Sequence, residues 1–341
     1  MKVTSIGIDL AKSIFQLHGV DAHGKALFRK KLSRGQLLPF IAQLNPCLIG
    51  MEACGAASFW AREFKKMGHD VKLIAPQFVK PFVKSNKNDA ADAEAICEAL
   101  LRPNMRFVTP KSIEQQDIQS LHRVRSRQVA ARTALSNELR GLLSEYGVVL
   151  PQGITQLRKN LTAMLETAQQ QERVTQRGKL LFETMLDELR ELDAKIAEMD
   201  VRIESIHNGS EASQRLAEIP GVGKLTATAV VAAVGDVKVF KNGREFSAWI
   251  GLVPKQHSSG GKEKLLGISK RGDVYLRTLL IHGARASIRF LDRQADSSRK
   301  QWLQKLIERR GMNRAVVALA NKNARQIWVL LARNEEYRAA A

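Results

Sequence analysis

Three cysteines in 341 residues, Cys47, Cys54 and Cys97, are odd in number and lack metal-ligand spacing, so neither a disulfide framework nor a zinc site is expected. They read as buried or neutral thiols in a reducing compartment. Missing too is any apolar run near the ~20 residues of a membrane span. No signal peptide precedes the first apolar segment, and a cytoplasmic protein with no membrane partner is the expectation. Acids are scarce as well: 34 Asp and Glu stand against 54 Lys and Arg, for a net charge of +20. The excess is uneven, with +7 over residues 1–110, −1 over 111–212 and +14 over 213–341. With a membrane set aside, the fitting partner is nucleic acid, met mainly by the last third.

Scarce acids make their placement informative. Asn86 to Leu101 reads as an Ala-rich helix without Gly or Pro, capped by Asn86 or Asn88, with Asp89 and Asp92 three residues apart on one face. Alone, that is an ordinary acidic first turn favoured by the helix dipole. Other acids join it. The β-prone run Val3 to Ile8 ends in Asp9, and the run Cys47 to Met51 ends in Glu52, so two strands also deliver carboxylates. Buried strands seldom carry acids without a partner. Oxygen ligands drawn from two strands and a helix suit Mg²⁺ or Mn²⁺. A pair of such ions clamps the attacking and leaving oxygens of a phosphodiester displacement.

Around these acids, an antiparallel meander of three strands (from Val3, Ile14 and Ala26) is followed by a helix near 36–44, the Glu52 strand, a helix near 57–67, a strand 69–75 and the Asp89/Asp92 helix. That is the order of an α/β RNase H-like domain. A non-catalytic nucleotide-binding relative would need a phosphate-cradling glycine pattern in its first βα turn, and there is none.

A polar helix from Ile113 to Tyr146 follows, with Leu121, Leu135, Leu139 and Leu142 on one side and Arg123, Arg125, Arg127 and Arg132 available to the other; Pro151 ends it. A second long helix carries a heptad seam, Phe182, Met185, Leu189, Leu192, Ile196, Met199, Ile203 and Ile206. The seam fits either an intramolecular helical hairpin or a coiled coil that makes a dimer or tetramer. Ile219 to Gly223 looks like a helix-hairpin-helix turn whose Gly221 and Gly223 could bring N–H groups to a phosphate, or else a tight interhelical turn. Next, Lys255 to Lys264 sets Ser258-Ser259-Gly260-Gly261 among the cations Lys255, Lys262 and Lys264. It reads either as a flexible loop or as a serine nucleophile on glycine-permissive backbone. His257 would lie on the same side as Ser259 if the segment is extended. Lys270, Arg271 and Arg277 begin a further basic helix, and two helices, near 298–309 and 312–333, end the chain.

Six of these segments, Gly7-Ile8-Asp9, Met51 to Gly55, Asn88 to Ala93, Ile219 to Gly223, Gly251 to Pro254 with Ser259-Gly260, and Ser269 to Gly272, together resemble the DEDD transposases of bacterial insertion sequences, a family of bridge-RNA-guided recombinases. The motifs are co-linear with that family and cover most of the chain. The resemblance implies a RuvC-like metal domain (1–110) with Asp9, Glu52, Asp89 and Asp92 as ligands, a helical coiled-coil segment (111–212), and a mainly α transposase domain (213–341). It further implies Ser259 rather than Ser258 as nucleophile, a phosphoserine-linked DNA intermediate, donor and target DNA as substrates, and a guide RNA. Two alternatives stay open: a metal-dependent nuclease or Holliday-junction resolvase in which Ser259 is only loop, and a non-catalytic nucleic-acid-binding protein.

Overall fold

The computed structural model describes residues 2–84, 89–291 and 297–338. The expected caps Asn86 and Asn88 lie outside the described residues. The chain forms two compact units, one of residues 1–115 with 234–241, the other of 116–233 with 242–341.

The first unit is built on six strands. Strands β1 (Ser5–Leu10), β2 (Ile14–Val20) and β3 (Ala26–Ser33) form the antiparallel meander read from the sequence. β4 (Leu48–Glu52) runs parallel to β1, and β5 (Asp70–Ile74) parallel to β4. A two-residue strand, β6 (Phe107–Val108), closes the edge, giving the order β3-β2-β1-β4-β5-β6. Alternation along β1 assigns its two faces. Ile6 and Ile8 are fully buried with Phe15, Leu17, Trp60 and Phe64, under helices α1 (Arg34–Ala42) and α2 (Ala57–Lys66). Each such side chain contributes roughly 1.5–3 kcal/mol. The opposite face is covered by α3 (Pro76–Val79) and α4 (Asp89–Leu100), through Ile74, Val79, Ala95, Ile96 and Leu100.

Helix α4 lies unusually close to the sheet for a local reason. A Cβ on Gly7 would stand 2.2 Å from the Ala93 carbonyl oxygen and 2.6 Å from the Cys97 nitrogen. Gly50, the partner of Gly7 on β4, would meet Leu100 at 2.9 Å. Two adjacent glycines thus form a trough that receives the helix. Cys97 is buried in this contact, as Cys47 is elsewhere, and burial pushes both thiols up to about 11; Cys54 is exposed.

In the second unit, α5 (Ile113–Glu145), α6 (Ile154–Gln170) and α7 (Gln176–Asn208) share one core that includes Leu139, Leu143, Leu157, Leu161, Phe182 and Leu189. Arg132 meets Asp193 at 3.1 Å and Arg125 meets Asp200 at 2.5 Å, so α5 runs antiparallel to α7 and two of its arginines are paired within the chain. The heptad seam is therefore covered from inside: Phe182, Met185, Leu189, Leu192, Ile196 and Ile203 are buried in a single copy. The other two seam positions, Met199 and Ile206, are half-buried. Helix α6, not distinguished in the sequence, supplies part of that cover.

Then come α8 (Glu211–Ala217), α9 (Lys224–Val234), α10 (Gly243–Ile250), the hairpin β7 (Pro254–Ser259) and β8 (Lys262–Ile268), and helices α11 (Val274–Arg289), α12 (Ser298–Arg310) and α13 (Met312–Arg333). The two compact units divide at 115/116, 233/234 and 241/242, so residues 116–212 share a unit with most of 213–341. His122 of α5 is buried with its ring nitrogens 3.1 Å from the Tyr275 hydroxyl of α11 and 3.1 Å from the Thr228 hydroxyl of α9. Burial lowers its pKa to about 4, so the imidazole is a neutral joint between helices at physiological pH. Among the described residues no helix is long and apolar enough to cross a membrane.

Candidate functional site

Asp9 lies on the same face of β1 as Gly7, two residues further on, so the trough that seats α4 also aims Asp9 at the first turn of that helix. There Asp89 and Asp92 wait: one carboxylate oxygen from each of the three acids lies within 4.8 Å of the others. Glu52 comes from the neighbouring strand. Ile8 pairs with Met51, so Asp9 and Glu52 follow side by side at the ends of two parallel strands. Glu52 is not a member of the 4.8 Å set, although its charge acts on Asp9. Desolvation, then the charges of Asp92, Asp89 and Glu52, raise the Asp9 pKa to about 6, against a bond from the Leu10 backbone that lowers it. Mutual repulsion among all-oxygen donors is what a hard divalent cation relieves, so the residues present fit Mg²⁺ or Mn²⁺.

The serine segment is a hairpin rather than a flexible loop. Gly260 and Gly261 have φ of +56° and +76°, as a two-residue turn with both central residues left-handed requires. Ser259 pairs with Lys262, Ser258 with Glu263, and His257 with Lys264. All residues from Pro254 to Gly267 are exposed, including Leu265 (65 %) and Leu266 (47 %). Lys255, Lys262 and Lys264 are thus free to meet a polyanion.

The base of the hairpin is locked. A Cβ on Gly251 would stand 2.0 Å from the Arg271 carbonyl oxygen, and one on Gly272 1.8 Å from that of Trp249; both glycines have positive φ. The two segments Gly251 to Pro254 and Ser269 to Gly272 therefore meet backbone to backbone where the strands leave the helices. Arg277 corrects an expectation here: it is 8 % exposed, and its Nη1 donates to the Ile250 oxygen at 2.9 Å and the Arg271 oxygen at 3.1 Å. It clamps the two legs together and is not available to a phosphate. Lys270 and Arg271 remain exposed, Lys270 at a φ of +56°.

Gly221 also has a different task from the one expected. At φ +91° it packs against α11, where its Cβ would be 2.8 Å from the Gly283 oxygen, and a Cβ on Gly283 would be 1.9 Å from the Gly221 oxygen. Pro220 beside it accepts bonds from Arg299 and Asn323. The turn joins α8 to α9 as a tight interhelical connection, and from Ile219 to Gly223 only Gly223 is exposed. The trough at Gly7 and Gly50, the locked hairpin base and the Arg277 clamp went unread in the sequence; the available signals were the glycine two residues before Asp9 and the Gly-Gly pair between β-compatible runs.

A family model described as "Transposase IS116/IS110/IS902 family" matches residues 213–303, and a model described as a transposase, of the DEDD type in the IS110 group, matches residues 6–148. The chain is 53% identical over 341 residues to a "probable family 20 transposase" of Pseudomonas aeruginosa, covering 99% of each chain. It is 50% identical over 336 residues, 98% of this chain and 92% of the other, to the "transposase for insertion sequence element IS1111A" of Coxiella burnetii. The "transposase for insertion sequence element IS1328" of Yersinia enterocolitica is 42% identical over 328 residues, 96% of each. Identity of this order along nearly the whole length, with the acids inside one matched segment and the serine hairpin inside the other, makes the chain a member of the IS110 family of insertion-sequence transposases, enzymes that cut and rejoin DNA.

Proposed function

We propose that the chain recombines DNA through two groups of residues: a divalent-metal centre held by Asp9, Asp89 and Asp92 with Glu52 beside them, and a serine nucleophile, Ser259, at the tip of the β7–β8 hairpin. The observation that carries the first part is the convergence of three carboxylates within 4.8 Å, where burial first, and then the charges of Asp92, Asp89 and Glu52, raise the pKa of Asp9 to about 6. A bound Mg²⁺ or Mn²⁺ would supply charge neutralisation and Lewis-acid polarisation of phosphodiester oxygens. The protein's own contribution is to hold the acids in place against their repulsion, by seating α4 in the Gly7/Gly50 trough.

Supporting the second part is the chemistry of the hairpin tip. Ser259 is exposed, on a strand whose direct neighbour is Lys262, and cations near an attacked phosphate stabilise the charge that develops there. Attack by its oxygen forms a phosphoserine bond as the deoxyribose oxygen leaves, conserving the phosphodiester energy for rejoining. The +14 of residues 213–341 supports binding of DNA and of a structured guide RNA as partners. The test is DNA cleavage by Asp92→Asn in Mg²⁺: it should be lost while the melting temperature in chelator is kept, and full metal-dependent cleavage would overturn the metal reading. Sequencing of RNA bound to the purified protein addresses the guide directly.

A further inference from the structure

The hairpin divides its side chains between two faces, and the division is chemically uneven. In an antiparallel ribbon, directly paired residues share a face and successive residues alternate. Ser259 pairs with Lys262 and His257 with Lys264, so these four side chains stand together. Ser258 pairs with Glu263 and Gln256 with Leu265, which places those four on the other face, where the Gln256 amide donates to the Ser258 hydroxyl at 3.0 Å. One serine thus stands among an imidazole and two ammonium groups; the other faces a carboxylate and is already engaged.

From this juxtaposition we infer that His257 is a catalytic residue, the group that takes the proton from the Ser259 hydroxyl as that oxygen attacks phosphorus. The inference rests on the serine reading above. A serine hydroxyl is a weak nucleophile at neutral pH and needs a base, and imidazole is the side chain whose protonation changes between pH 5 and 8. The same spacing of two along the other face already brings the Gln256 amide to the Ser258 hydroxyl. In the step, the Oγ–H proton passes to the imidazole and the Oγ–P bond forms. The bond from phosphorus to one deoxyribose oxygen breaks on the opposite side, and that oxygen takes a proton from water; the imidazolium returns its own proton to solvent. In rejoining, the imidazole, having regained a proton from solvent, gives it to the departing serine oxygen as the deoxyribose hydroxyl attacks phosphorus and loses its proton to water. The charged groups on the same face are Lys264 opposite His257 and Lys262 opposite Ser259. Glu263 is on the other face.

The experiment uses full-length protein with its bound RNA and a DNA substrate carrying the element's end, and follows the protein–DNA adduct on denaturing gels through a single turnover from pH 5 to 9. Ser258→Ala should form adduct as wild type does, and Ser259→Ala should form none. His257→Gln should bind DNA within about twofold of wild type yet form adduct about 10²–10⁴-fold more slowly at pH 7, without the wild-type rise between pH 5 and 8. Since every residue of the tip is exposed, these substitutions leave the fold in place, and equal melting temperatures check this. If His257→Gln keeps the wild-type rate and pH profile while Ser259→Ala forms no adduct, the role of His257 is overturned and the serine reading stands. Adduct in Ser259→Ala overturns both.

Discussion

Asp9 shows what a single carboxyl can report. Its folded pKa, about 6, lies above the ordinary 3.8, so the native state holds this proton more tightly than the unfolded chain does. The penalty for ionising it is absent below about pH 4 and fully present above about pH 6. At ~1.4 kcal/mol per pKa unit, that is at most about 3 kcal/mol, reduced by solvent screening of a half-buried group. In chelator, the wild-type melting temperature should therefore fall between pH 4 and 6, and Asp9→Asn should flatten this step. At pH 7, Mg²⁺ or Mn²⁺ should raise the melting temperature of wild type and not of Asp9→Asn. A pH step of equal size in both proteins would assign it elsewhere. The acids were legible in the sequence because strong apolar runs end in them. That Glu52 stands outside the closest set was not legible, since strand ends fix which residues are neighbours but not where side-chain oxygens come to rest.

At the scale of elements, glycines and one arginine decide where the chemistry stands. Gly7→Ala drives a methyl group into the Ala93 carbonyl, a backbone atom that moves only if α4 moves. The expected cost is about 1–3 kcal/mol, typical of overpacking, together with loss of metal-dependent cleavage, measured by denaturant melts and single-turnover assays. Arg277→Lys should act on the other element. An ammonium in place of the planar guanidinium loosens the bridge between the Ile250 and Arg271 oxygens. Amide exchange at Lys270, which bonds to the Gly251 oxygen, and at Ser269, which bonds to the Val253 oxygen, should quicken. Adduct formation should fall while DNA affinity is kept, whereas a phosphate-contacting Arg277 would give the reverse. Periodicity revealed β1, β2, β4, β5, α5 and α7, because each buries one consistent face, and the Asp21-Ala22-His23-Gly24 turn revealed β3, whose residues are exposed or half-buried. It could not reveal the locked hairpin base, where backbone meets backbone and no side-chain pattern records the contact. For the same reason Arg277 looked like one more surface cation.

For the whole molecule, charge and connectivity carry different messages. Binding of full-length protein to duplex DNA should weaken steeply with salt, and replacing both Lys262 and Lys264 by Ala should reduce the log–log slope by about 1–2, at ~0.9 per phosphate contact. An unchanged slope would move the contact off the hairpin. The +14 of residues 213–341 suggests a detachable nucleic-acid-binding piece, yet those residues share their unit with α5 and α7. A fragment starting at 213 leaves Thr228 and Tyr275 without the imidazole between them and should not melt cooperatively, in contrast to the full chain. The path of the backbone sharpens this. Residues 234–241 return to the first unit, where Gly235 approaches Thr109 to within 3.2 Å of a Cβ position, before the chain goes back to the second. The units are thus stitched together by three covalent crossings. A protease that nicks one crossing releases neither half, and a gene copy truncated anywhere before residue 242 encodes no finished unit. Stop codons before that point should leave no complete metal domain to cut DNA unpartnered, whereas later ones leave the first unit whole and the second broken.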